Sequence, residues 1–215
     1  MKISETPKNA MVRAVLRSNL RHWYKQASDE EVQDGLNWYA RANDVASDLA
    51  CDYFVKKEGR YFIKFPPLVT AGVISALSPN NKWKRNLIDA RSVLDAVDSN
   101  QPSDVIKVCT YNANKLKAFE IARGNQEILT KSPKTYAFAK NVGELDENFV
   151  TIDVWHLRAC QTRSNKRKEL QSTITPLQYK VIQEETLKVA KEFGIKGYEF
   201  QAIVWVAIRN RWSNQ

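Results

Sequence analysis

Glycine is scarce in this chain, with seven residues among 215. None of the seven belongs to a G-x-G-x-x-G or Walker-type run, so the sequence offers no backbone cradle for a nucleotide phosphate and argues against Rossmann and P-loop enzymes. Cysteine is scarcer still. Cys51, Cys109 and Cys160 lack C-x-x-C or C-x-x-H spacing, so neighbouring ligands cannot assemble a zinc site or a four-cysteine iron–sulfur cluster; no metal or other cofactor is expected. Reduced, buried thiols are the reading that remains. No apolar run approaches the roughly 20 residues of a membrane span, and the N-terminal MKISETPKNAMVRAV has no continuous apolar core. A cytoplasmic protein with no membrane partner is expected. Acidic residues are also short: 24 Asp and Glu face 33 Lys and Arg, a surplus of +9. Such a field attracts polyanions, with nucleic acid the leading candidate.

What is present is an ordinary globular composition, 43% apolar and 27% charged, of a length that suits one medium domain or two lobes. Nearly every long segment repeats its apolar residues with helical period, and only Arg60–Phe65 carries a strand signal. The fold class is all-α. A first helix is expected over Met11–Lys25, and a second from Ser28, whose Glu31 completes a capping box, towards Phe54. Pro66-Pro67 opens LVTAGVISAL, apolar nearly all round and therefore central, which stops at Ser78-Pro79. After the polar turn Asn80-Asn81 comes a helix near Trp83–Val97, with Ile88, Ala90, Val93, Leu94 and Val97 facing inward. Val105–Arg123 follows as a helix whose stripe includes Leu116, Phe119 and Ile121, closed by Gly124. A very short helix at Gln126–Leu129, the turn Thr130 to Pro133 and a further helix carrying Lys134 and Tyr136 make a helix-hairpin-helix outline over 125–142. The loop NVGELDENF leads to the buried segment Thr151–Cys160. A basic loop (Arg163, Lys166, Arg167, Lys168) precedes a helix capped by Thr175-Pro176-Leu177-Gln178 and running to Phe193, and the last helix spans Tyr198–Trp212.

Two residues bear chemistry. Asp153 stands in Val150-Thr151-Ile152-Asp153-Val154-Trp155, where an acid is costly to bury unless it is hydrogen-bonded or used. It reads either as the N-cap of its helix or as a catalytic carboxylate. Lys134, nineteen residues earlier, reads either as a solvated lysine or as an amine beside that acid.

The run KTYAFAKNVGELDENFVTIDVWHLRAC, Lys134–Cys160, resembles the helix-hairpin-helix DNA glycosylase superfamily, which contains endonuclease III and 8-oxoguanine DNA glycosylase. In that family a hairpin lysine precedes an Asp by a closely similar distance, and both positions are occupied here. Ile74–Asn81 (ISALSPNN) is similar to the family's buried helix ending in a polar turn, and Tyr111-Asn112 with Lys115, Ala118 and Ile121 is similar to its helix before the hairpin. The resemblance covers Leu68–Cys160. The turn SPNNKW and the final GYEFQAIVWVAIRNRW point to divergent, phage-encoded members. Two departures stand out: Thr130 and Ser132 replace the two hairpin glycines, which normally admit a DNA phosphate, and the iron–sulfur cluster of endonuclease III is missing.

The resemblance implies a two-lobed fold with the active site in the interlobe cleft. One lobe takes residues 1–67 and 156–215, the other the central 68–155. It implies a monomer acting on double-stranded DNA with a damaged or modified base, flipped from the stack. Lys134 becomes the nucleophile that attacks the sugar C1′, giving a Schiff base and abasic-site lyase activity. Asp153 becomes the carboxylate that stabilises the developing positive charge, or that activates a water where the lysine does not reach. Asn80 and Asn81 are wedge candidates, with an ordinary polar turn as the alternative. Thr130, Lys131, Ser132, Lys82 and Arg163 are phosphate contacts, with solvated charge as the alternative for the cations. His156, Trp155 and Tyr136, with Trp205, are candidate pocket residues; core packing is the competing reading for each. Two other functions stay open: base modification on the same scaffold, in which an amine or amino acid displaces pyrophosphate from an activated hydroxymethyl pyrimidine, and a catalytically silent DNA-binding module.

Overall fold

The computed structural model describes residues 2–164 and 170–213, and among these the protein is all-α apart from one small antiparallel ribbon. The chain divides into two compact units, Met1–Ala40 with Asp146–Gln215, and Arg41–Leu145. These boundaries correct the expected division at 67/68 and 155/156. Helix α2 (Asp29–Cys51) carries no breaker at residue 40, so the passage from one unit to the other leaves no mark in composition. As a result Asp153 belongs to the unit of terminal helices, not to the central one.

In that first unit, α1 (Ala10–Gln26) is capped by Asn9, whose side chain accepts the amides of Met11 at 3.0 Å and Val12 at 3.2 Å. Its buried positions Leu16, Asn19, Leu20 and Trp23 repeat at helical spacing and face the unit's core. The capping box opening α2 forms as read: the Ser28 amide donates to Glu31 and the Glu31 amide to the Ser28 hydroxyl. A short helix α8 (Val154–Gln161), then α9 (Pro176–Glu192) with its Thr175–Gln178 capping box, and α10 (Gly197–Ser213) complete the unit. Gly35 lets α2 touch α10: a Cβ there would lie 2.6 Å from the backbone of Ile203.

In the second unit, α3 (Pro67–Leu77) is the centre, and every residue from Val69 to Leu77 is buried. It packs on α4 (Trp83–Asp98), α5 (Asn112–Ala122) and α7 (Pro133–Glu144), with α6 (Glu127–Thr130) alongside. Burial of Val73, Ile74 and Leu77 contributes about 1.5–3 kcal/mol for each side chain. The inner face of α4 differs from the expected one. Asn86 and Asp89 are inside, whereas Ile88 is 57% exposed.

Two further expectations are corrected. Residues 106–111 are not helical but form a loop that bends at Cys109–Thr110; the β-branched Val105, Ile106, Val108 and Thr110 weaken a helix there, and the loop is tied elsewhere. Leu116, read as part of the apolar stripe, lies on α5 but is exposed. The second helix stops at Cys51, and Phe54–Lys57 forms strand β1, paired with β2 (Arg60–Ile63) in the register Phe54↔Ile63 to Lys57↔Arg60. Glu58 and Gly59 both take positive φ, 52° and 78°, as a two-residue hairpin turn requires. Glu-Gly lacks the Asn or Asp that usually announces such a turn. Of the three thiols only Cys160 is buried; Cys51 and Cys109 are exposed.

Candidate active site

Asp153 lies at the end of an extended run, residues 150–153, that is held by its backbone. The buried Tyr179 hydroxyl donates to the Val150 carbonyl at 2.8 Å and accepts the Ile152 amide at 3.1 Å, while the Val150 amide donates to Gln183 Oε1. With Val150 and Ile152 buried, these bonds satisfy backbone groups that water cannot reach and fix where the acid emerges. Asp153 then caps α8: Oδ1 accepts the His156 amide at 2.8 Å. Its other oxygen, Oδ2, accepts the indole N–H of Trp205 from α10 at 3.0 Å. The capping interpretation therefore holds and does not exhaust the residue.

Around the half-exposed carboxylate the unit sets flat, electron-rich groups. Trp205 carries the Arg209 guanidinium 4.0 Å from its ring centre and has Trp38 6.1 Å away. Tyr39, buried beside it, donates to Gln201 Oε1 at 2.8 Å. Burial first, with the charge of Asp153 adding to it, holds the Tyr39 and Tyr179 phenols far above the ordinary tyrosine range, so both remain neutral donors. The arrangement is one oriented anion beside indole faces and a cation. It suits a planar ligand next to which positive charge develops. Trp155 is engaged differently: Arg158 lies 4.4 Å over its ring and Trp212 meets it edge-on at 6.3 Å.

His156 is corrected from pocket candidate to core residue. It is fully buried, with Nε2 3.0 Å from the Thr186 hydroxyl. Thr186 donates its own proton to the Ile182 carbonyl, so the ring must be the Nε2–H tautomer, leaving Nδ1 without a partner. Burial lowers its pKa to about 3. The unfolded chain therefore binds a proton below about pH 6.5 that the native state refuses, and native stability falls as pH drops from 6.5 towards 3. Urea unfolding at pH 6.5 and 5 should differ by about 1.6 kcal/mol on this account, the slope rising from half of its limiting value of about 1.4 kcal/mol per pH unit at pH 6.5, where the unfolded histidine is half protonated. His22, lowered by burial and by Arg163, adds in the same direction. His156→Gln should flatten the pH dependence over that window; an unchanged slope would remove His156 as its source.

In the second unit Lys134 is exposed in the first turn of α7. The hairpin outline is present as α6, a turn at residues 131–132, and α7. None of Thr130, Lys131 and Ser132 has positive φ, so the turn closes without the family's glycines. Their hydroxyls are not aimed outward: Thr130 donates to the Glu127 carbonyl, and Ser132 shares a bond with Thr135. Lys131 is exposed, and Tyr136 is half-buried on α7.

The polar turn after α3 separates two candidates that sequence treated alike. Asn80, exposed and left-handed at φ 57°, reaches the exposed Tyr111 hydroxyl at 2.9 Å. Asn81 turns inward, donating to Asp89 Oδ2 at 2.9 Å, and is corrected from wedge to anchor. Asp89 is the residue that sequence reading missed. Buried on α4, it also takes Arg85 Nε at 2.8 Å and the Cys109 amide at 2.7 Å, tying the turn to residues 106–111. Lys82 is exposed just before α4. In the first unit Arg163 is exposed, but its guanidinium is engaged by Asn19 and Ser18 of α1. Lys166, Arg167 and Lys168 lie outside the described residues.

Among the described residues no group of three or more His, Cys, Asp or Glu is arranged to hold a metal ion, and no helix is long and apolar enough to cross a membrane. No curated protein and no solved structure matches the chain. A family model does match, over residues 1–212, taking in Asp153 and its Trp205 partner as well as Lys134. The chain therefore belongs to DUF7178, a family of unknown function.

Proposed function

We propose that this protein is a DNA glycosylase that cleaves the N-glycosidic bond of a damaged or modified base. The observation that carries the reading is Asp153: a half-exposed carboxylate whose two oxygens are oriented by the His156 amide and the Trp205 indole, beside Trp38 and Arg209. As the glycosidic bond breaks, the bonding pair leaves with the base and the sugar C1′ becomes electron-poor. A fixed anion stabilises that charge without reorganising. The short-helix, turn, helix outline of residues 127–144 and the surplus of +9 support a DNA substrate.

In this reading the Lys134 amine attacks C1′ through its nitrogen lone pair, the base departs as an anion and takes up a proton, and loss of an amine proton with ring opening gives a Schiff base. The monofunctional form uses water as nucleophile, with Asp153 accepting its proton. Trp205 and Trp38 offer faces on which the extruded base stacks.

Mass spectrometry on a panel of damaged and hypermodified duplexes tests this directly. The expected products are free base and abasic sites. An altered base mass with the sugar bond intact would assign the protein to base modification, and binding without product would make it a silent module. Borohydride trapping separates the two glycosylase forms: a covalent adduct lost in Lys134→Ala marks the lysine as nucleophile, and no adduct with full excision assigns that role to water.

A further inference from the structure

The β1–β2 ribbon is the most exposed apolar element among the described residues. All eight of its strand positions are exposed, Tyr61 to 70%, Phe54 to 54% and Phe62 to 50%. An isolated two-stranded ribbon is marginal in water, so a bare one with large aromatic side chains needs another reason to persist. Its root is firmly built. The Lys64 amide donates to the Tyr53 carbonyl at 2.9 Å, the Tyr53 hydroxyl donates to Asp95 at 2.6 Å, Tyr53 meets Phe65 edge-on, and Lys64 Nζ pairs with Asp98 at 2.6 Å. The ribbon is thus held at its base and uncovered beyond it.

The register sorts its side chains along the length. The root half carries Phe54, Val55, Phe62 and Ile63; the outer half carries Lys56, Tyr61, Lys57 and Arg60, closed by Glu58-Gly59. Three cations and one acid stand at the tip. Tyr61 stays beside Lys56, whose Nζ is 5.6 Å from its ring centre.

We propose that this ribbon enters a groove of double-stranded DNA, with Lys56, Lys57 and Arg60 on the phosphates and Tyr61 against the sugar-base wall. A two-stranded ribbon has the width that the major groove admits, and a cationic tip is complementary to the phosphates flanking it. The same pattern argues against a lipid surface. A membrane-seated hairpin buries an apolar end and leaves charge behind it, whereas here the outermost residues are charged. Edge pairing with a second copy is opposed by Lys56 and Lys57 on one edge and Arg60 on the other. The proposal stands independently of excision, because groove binding needs no chemistry.

The test is fluorescence anisotropy of the full chain on a labelled duplex across a salt series. Combined Lys56→Ala, Lys57→Ala and Arg60→Ala should weaken binding by about tenfold or more and reduce the slope of log affinity against log salt by roughly two to three. Lys25→Ala, Lys180→Ala and Lys191→Ala together remove equal charge from exposed positions in the other unit and should leave most of the slope. Tyr61→Ser, which keeps every charge, should weaken binding with the slope unchanged. Equal effects of the two triple variants, absence of duplex binding by the natural chain, or loss of binding to phosphatidylserine vesicles with duplex binding intact would each overturn the proposal. Ribbon-dependent binding without base release would retain it while removing the glycosylase reading.

Discussion

Asp153→Asn should abolish base release, lowering the single-turnover rate by about 10²–10⁴-fold, while duplex binding persists. The substitution removes the charge and little else. Asparagine can still cap α8 through its carbonyl oxygen, but its amide then meets the Trp205 indole N–H, and two donors face each other. Flipping the amide moves the conflict to the His156 amide. A stability loss of about 1–3 kcal/mol is therefore expected, measurable by urea unfolding at neutral pH. Assays run well below the unfolding transition separate this from the catalytic loss. Asp153→Ser keeps a good N-cap and relieves the donor conflict, so it should recover stability and not activity. Excision by either variant at near-natural rate would confine Asp153 to capping and remove the proposed chemistry.

Trp205→Phe is expected to lower the single-turnover rate by about ten- to a hundredfold with duplex affinity unchanged. Phenylalanine preserves an aromatic face for Arg209 and Trp38 but cannot donate to Asp153 Oδ2. The carboxylate keeps its bond to the His156 amide and loses the one that Oδ2 accepts from the indole, and a less firmly oriented catalytic group loses rate before it loses binding. Trp205→Leu removes both the donor and the face, and should weaken substrate binding as well as slow the reaction. A purely packing role for Trp205 predicts the opposite order: Phe close to the natural protein in both measurements, with only Leu impaired.

Much of the architecture is legible in the sequence. Helical period, the Ser28–Glu31 and Thr175–Gln178 capping boxes and the prolines opening α3, α7 and α9 are local signals, and the structure repeats them. Asp153 was legible for the same reason, since an acid inside an apolar run must find a partner, and its cap donor is only three residues away. Other features were hidden by their range. Trp205 lies 52 residues from the carboxylate it orients, Asp89 lies 20 from the Cys109 amide it accepts, and Thr186 lies 30 from His156. No spacing rule connects such pairs.

Local sequence thus determined which segments are helical, where most of them begin, and which residues carry charge into a mostly apolar setting. Backbone hydrogen bonding and side-chain period act over three or four residues, so they are written in order along the chain. Tertiary structure alone decided which polar residue faces in and which faces out. Asn80 and Asn81 are adjacent and chemically identical, yet one reaches the surface Tyr111 and the other a buried carboxylate. It also decided that α2 passes unbroken from one unit to the other and that Phe54–Lys57 pairs as a strand. Those outcomes depend on what packs against each element, and a buried polar group takes whichever partner the assembled fold leaves within hydrogen-bond reach.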